Sequence, residues 1–130
     1  MTHEELKAAA VAMLDRAYVP YSHFPVGAAL ECSDGTVFTG CNIENASYTP
    51  TICAERTAVS KAVSEGHRDF VRIVIAGRSE DFCVPCGVCR QVLREFAPEL
   101  EIICLNGAGE ERVFTPPEHL PHSFGPEYLL

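Results

Sequence analysis

The sequence has no apolar run near the ~20 residues that a membrane-spanning helix requires, so no such span is expected. It also lacks a basic stretch leading into an apolar one at its start. Met1-Thr2-His3-Glu4-Glu5 is polar and acidic, so no signal peptide is read there, and a cytoplasmic, reducing setting is expected. Positive charge is scarce: 10 Lys and Arg stand against 18 Asp and Glu, for a formal net charge of −8. Polynucleotide binding draws most of its affinity from cations against phosphates, so nucleic acid is excluded as a partner and a neutral small molecule suits the chain better. Repeats, low-complexity tracts and linkers are missing as well. Finally, the cysteine count is not even. Seven cysteines in a reducing setting do not read as a disulfide framework, which leaves metal binding or catalysis to explain clustered ones.

What is present fits one domain over residues 1–130, with 47% apolar residues to build a core. Mean hydropathy slightly above zero is high for a soluble monomer and points to self-association. Thr2 and Glu5 read as a capping box, and Leu6, Ala9, Ala10, Met13, Leu14 and Ala17 recur at helical spacing, with an end near Tyr18 ahead of Pro20. Strands are expected over residues 26–32 and 37–42 around an Asp34-Gly35 hairpin turn, then a helix over 53–65 stopped by Gly66. A strand over 71–76, a helix over 86–96 and strands over 102–105 and 112–115 follow, and the proline-broken C-terminus ends in a short helix or loop. This order predicts an α/β fold of three layers, α/β/α, on a mixed sheet of roughly five strands. Right-handed crossovers start the helices at Cys53 and Cys86 from one sheet edge, where open α/β sheets bind ligands. Two cysteine groups distant in sequence are thereby expected to meet.

Cys86-Gly87-Val88-Cys89 is a CxxC at a helix start, which puts its sulfurs one turn apart where the helix dipole favours thiolates. Cys53 supplies a third ligand from the other helix. Three protein ligands leave one tetrahedral position open, the mark of a catalytic rather than a structural zinc. Cys83, three residues before Cys86, makes Cys83/Cys86 a competing pair, but Pro85 and the helix start favour Cys86/Cys89. Cys32, Cys41 and Cys104 lie in or beside apolar strands and read as small buried residues. Glu55, in the first turn after Cys53, looks into the same pocket and is placed to move protons; its alternative is an acid complementing the helix dipole. Three thiolates weaken zinc as a Lewis acid, and Arg56 is placed to offset this by donating to sulfur.

Cys53-Ala54-Glu55 with Pro85-Cys86-Gly87-Val88-Cys89-Arg90-Gln91 resembles the signature of the short-chain zinc-dependent cytidine deaminases, the form with three cysteine ligands. Tyr21-Ser22-His23-Phe24-Pro25-Val26-Gly27-Ala28-Ala29-Leu30 and Gly40-Cys41-Asn42-Ile43-Glu44-Asn45-Ala46 extend the likeness over most of the chain. The resemblance implies one Zn2+ per subunit and hydrolytic loss of the amino group at C4 of cytosine, with Glu55 carrying protons to N3 and to the leaving group. It further implies that Asn42 and Glu44 grip ribose hydroxyls, that Phe24 lies beside the pyrimidine and that Ala54 offers backbone groups to the base edge. By the same likeness, Tyr48 and Phe124 close pockets of neighbouring subunits in a homotetramer. A glutamate at the ribose repels phosphate, so the implied substrates are cytidine and deoxycytidine, in pyrimidine salvage.

Other readings stay open at this level. The zinc core also suits deaminases of other aminopyrimidines such as blasticidin S, although Asn42-Ile43-Glu44-Asn45 favours plain nucleosides. A structural zinc cluster needs a fourth protein ligand, for which Cys83 is the local candidate. A polynucleotide-editing deaminase needs a basic groove, and this chain is acidic. Arg56→Ala is expected to keep the fold and to impair zinc retention or turnover; unchanged zinc content with an unchanged rate contradicts the assignment.

Overall fold

The computed structural model describes residues 1–130. Its first helix, α1 (His3–Ala12), begins at the Thr2 cap. Thr2 Oγ1 accepts the Glu5 N–H at 3.2 Å, satisfying one of the donors that a helix start leaves free. The reciprocal arm of the box differs from expectation, because the Glu5 carboxylate accepts the Thr2 hydroxyl rather than the Thr2 N–H. Leu6, Ala10 and Leu14 are buried, and the helix tightens into a 3-10 turn over Met13–Arg16 before the chain extends at Ala17.

The remaining elements fall within one residue of their expected bounds. They are β1 (Gly27–Cys32), β2 (Val37–Cys41), α2 (Ala54–Ser64), β3 (Phe70–Ala76), α3 (Gly87–Phe96), β4 (Glu101–Leu105) and β5 (Glu111–Phe114). Between β1 and β2 the Cys32 N–H donates to Thr36 O and the Gly35 N–H to Cys32 O, at 2.8 and 3.0 Å. Gly35 takes a φ of 90°, the left-handed conformation that closes this turn and that glycine adopts without steric cost. Past β5 lie α4 (Pro116–His119) and a 3-10 turn over Pro126–Tyr128. The complete capping box of the chain is here: Thr115 and Glu118 exchange both bonds, although the sequence reading did not single them out.

The five strands form one sheet in the order β2-β1-β3-β4-β5. β1 is antiparallel to both β2 and β3, β3 and β4 run parallel, and β5 returns antiparallel to β4. β2, β3 and β4 therefore share one direction and advance steadily across the sheet. Two crossovers of the same hand then put α2 and α3 on the same face. The core confirms it: Ala58, Val59 and Ala62 of α2 and Leu93 of α3 pack with Leu30, Ile73, Ile75 and Ile102. On the opposite face Leu6, Ala10 and Leu14 pack with Ala29, Val74, Ile103 and Leu105. The result is the three-layer α/β/α mixed sheet, and both crossover helices start at one edge.

α2 lies unusually close to β2. A Cβ on Gly40 would stand 2.3 Å from Ala54 O and 2.7 Å from Ala58 N, both backbone atoms that cannot swing aside. The missing side chain at Gly40 therefore sets the depth of the first turn of α2, which carries Cys53 and Glu55. Gly40→Ala is expected to lower stability by about 1–3 kcal/mol through overpacking. Displacing that turn should also reduce bound zinc, measured by denaturant melts alongside metal content.

Candidate active site

Cys53 is the N-cap of α2 and Cys86 the N-cap of α3. An N-cap side chain usually accepts a first-turn N–H. Neither cysteine does so, and both sulfurs turn elsewhere. They meet each other at 3.7 Å. Cys89 lies one turn into α3, and the three sulfurs of Cys53, Cys86 and Cys89 all fall within 4.8 Å of one another. A disulfide needs about 2.0 Å. Tetrahedral bonds of about 2.3 Å to zinc place sulfurs roughly 3.8 Å apart, which the 3.7 Å spacing matches. The donor set fits one zinc ion. Cys89 is fully buried, Cys53 half-buried and Cys86 exposed, so the cluster spans from the core to a cavity mouth.

Charge around the sulfurs is ordered. Arg56 Nη2 donates to Cys53 Sγ at 3.4 Å. The Cys53 thiol is held down to about 5, first by a hydrogen bond from Cys89 and then by Arg56 and Cys86. Cys89, as donor of that bond, is pushed up. Arg56 is also pushed up, chiefly by its bond to Cys53, so the guanidinium keeps its charge. Arg56 Nε is buried with no hydrogen-bond partner of its own.

Glu55 is only 4% exposed. Burial is the main cause that pushes its carboxyl up to about 7, with the negative charge on Cys53 adding to it. A carboxyl near neutrality is suited to both accept and return a proton. Glu55, Cys53, Cys86, Ala54, Asn42 and Phe24 line one cavity of about 190 Å³. Val26, Cys83 and Val84 complete that lining and were not singled out as pocket residues from the sequence. Cys83 is 7% exposed, its thiol is pushed up to about 12 by burial, and it stands outside the three-sulfur cluster. It forms wall, not ligand set. Cys32, Cys41 and Cys104 are buried as expected.

Asn42 and Glu44 both reach one loop, residues 21–26. Asn42 Oδ1 accepts the Val26 N–H at 2.9 Å, and its Nδ2 donates to Phe24 O at 2.8 Å. Glu44 Oε1 accepts the N–H groups of Tyr21 and Ser22 at 3.0 and 3.1 Å, and its carboxyl is held low chiefly by its bonding to Ser22. These loop-holding bonds were not read from the sequence. Glu44 lines a second cavity of about 400 Å³ with Tyr21, Asn45 and Tyr48. Tyr48 is 74% exposed and takes a φ of 46°. Phe124 is 56% exposed, stacked on Tyr128 at 5.1 Å, and does not line the Glu55 cavity of its own chain.

A three-thiol site with a buried carboxyl beside it, at the edge of an α/β/α sheet, defines a metal-dependent hydrolase. Residues 1–105 match the cytidine and deoxycytidylate deaminase zinc-binding region, and the chain belongs to that family. It is 45% identical over 130 residues to the cytidine deaminase of Sporosarcina psychrophila, covering 99% of this chain and 96% of that one. The cytidine deaminase of Halalkalibacterium halodurans is 46% identical over 128 residues, covering 98% and 97%. The crystal structure of cytidine deaminase from Burkholderia pseudomallei superposes with a TM-score of 0.92 at 47% identity, covering 95% and 100%.

Cys83→Ser is expected to keep one zinc per chain, whereas Cys86→Ser should lose most of it. Equal loss in both variants, measured by elemental analysis, contradicts the ligand set.

Proposed function

We propose that this protein is a zinc-dependent cytidine deaminase, converting cytidine and deoxycytidine to uridine and deoxyuridine with release of ammonia. The observation that carries the reading is Glu55, buried beside the Cys53/Cys86/Cys89 cluster in one cavity. Full-length similarity to cytidine deaminases supports it. When bound, zinc supplies the polarisation that makes water nucleophilic near neutral pH.

The remaining work falls to the chain. Glu55 takes a proton from the attacking water and delivers it to N3 of the base. It then takes the remaining proton from the hydroxyl added at C4 and passes it to the amino group, so the C4–N bond breaks, the C4 carbonyl forms and ammonia departs. Arg56, bonded to Cys53, draws negative charge off that sulfur, which would leave a bound zinc a stronger Lewis acid. Phe24 and Ala54 flank the pyrimidine from the cavity lining.

Asn42 and Glu44 are the proposed ribose grip. Glu44 Oε1 takes both loop bonds, and the carboxylate's remaining acceptor capacity serves a sugar hydroxyl. A carboxylate there also repels a phosphate, in keeping with a net charge of −8, and limits the substrate to free nucleosides. Tyr48 and Phe124 are large and exposed in one chain, in keeping with the homotetramer that the family likeness implies, in which they would close neighbouring pockets. No helix is long and apolar enough to cross a membrane, and the proposed setting is the cytoplasm, in pyrimidine salvage.

Loss of cytidine absorbance with the purified protein tests the reading. Glu55→Ala should retain zinc and lose about 10²–10⁴-fold in kcat. A wild-type protein inert toward cytidine, or a mutant at near-wild-type rate, overturns it.

A further inference from the structure

Cys86 is the exposed sulfur of the cluster. The chain that carries it in, residues 77–86, forms no helix or strand. Cys53 has the Arg56 bond to fix it, and Cys89 is buried within the first turn of α3. Cys86 has neither. Its carbonyl accepts the Arg90 N–H of α3 at 2.9 Å, and the other hold on its placement is whatever fixes the backbone just before it.

That backbone is Pro85, which is buried and has no N–H to anchor it. Its carbonyl is held by Arg90, whose Nε donates to Pro85 O at 2.7 Å. Nη1 of the same guanidinium donates to His119 O at 2.9 Å. The planar fork thus ties the residue before Cys86 to the end of α4. The far end is firm: His119 is buried, and its ring lies 4.3 Å from Phe114 of β5. Neighbouring side chains on α3 continue the seam. Gln91 Nε2 donates to Phe124 O at 2.9 Å, Arg94 Nε to Ser123 Oγ at 2.8 Å, and Arg94 also pairs with Glu127.

We infer that Arg90 is a positioning residue for the metal site: it sets the direction of Cys86 through Pro85 O, using the C-terminal segment as its anchor. This rests on the reading of Cys53, Cys86 and Cys89 as zinc ligands. The C-terminal segment is then part of the metal site's support, although none of its side chains is among the sulfur ligands. A lysine cannot replace Arg90, because one ammonium lacks the rigid fork that spans two carbonyls.

Cobalt in place of zinc gives thiolate charge-transfer and d–d bands that report ligand geometry, and a chelator measures metal release. The test compares wild type, Arg90→Ala, Arg90→Lys and Val74→Ala. Val74 is buried on the α1 face of the sheet, so its variant is a control for general destabilisation. Both Arg90 variants should shift the cobalt bands and release metal about 10-fold faster or more. Val74→Ala should lower Tm and keep the wild-type bands and release. Arg90 variants with wild-type bands and release overturn the inference, as does a Val74→Ala protein that loosens the metal equally. If Arg90→Ala does not fold, Arg90→Lys decides by the same two readouts. A wild-type protein without cobalt–thiolate bands overturns the ligand assignment itself, and this inference with it.

Discussion

Two helices that start at one sheet edge bring two partial positive charges together, about half an elementary charge at each N-terminus. α2 and α3 are in this position because β2, β3 and β4 advance in one direction across the sheet. An ordinary cap such as serine or aspartate would satisfy each terminus separately. Cysteines at both caps leave the sulfurs free to converge at 3.7 Å beside both helix ends, with Arg56 donating to the Cys53 sulfur. The metal site, the buried Glu55 and the cavity beside them all depend on this meeting of helix ends.

Much of this arrangement was legible in the sequence because its signals are local. CxxC at a helix start, a third cysteine at another helix start and strand–helix–strand order determine which residues meet. Beyond the first helix, which ends short of the expected Tyr18, the bounds of the regular elements could be read to within one residue because Pro, Gly and apolar periodicity mark them. The loop contacts of Asn42 and Glu44 were not legible, since they join segments far apart in the chain whose relative position no local pattern encodes. The same holds for Arg90 and His119. Thr115 and Glu118 are a different case: the signal was present, but a helix as short as α4 offers no apolar periodicity to draw attention to it.

The distribution of glycine and cysteine shows how closely packing and chemistry are joined here. Gly40 allows the first turn of α2 to lie directly on β2, so the depth of the buried Glu55 carboxyl is fixed by a strand residue with no side chain. Cys83, chemically identical to the ligands, contributes only volume, because burial holds its thiol up at about 12 and it sits outside the cluster. Position, not residue type, separates ligand from wall.

The clamp on residues 21–26 has an energetic consequence for binding. Asn42 and Glu44 already hold four backbone groups of that loop in the free chain. A flexible wall would have to be ordered when a ligand arrived, at about 0.5–1.5 kcal/mol for each immobilised side chain. Here that entropy is lost during folding instead. A ligand entering a cavity walled by this loop keeps more of its contact energy as affinity, which suits a small substrate that offers few groups to hold.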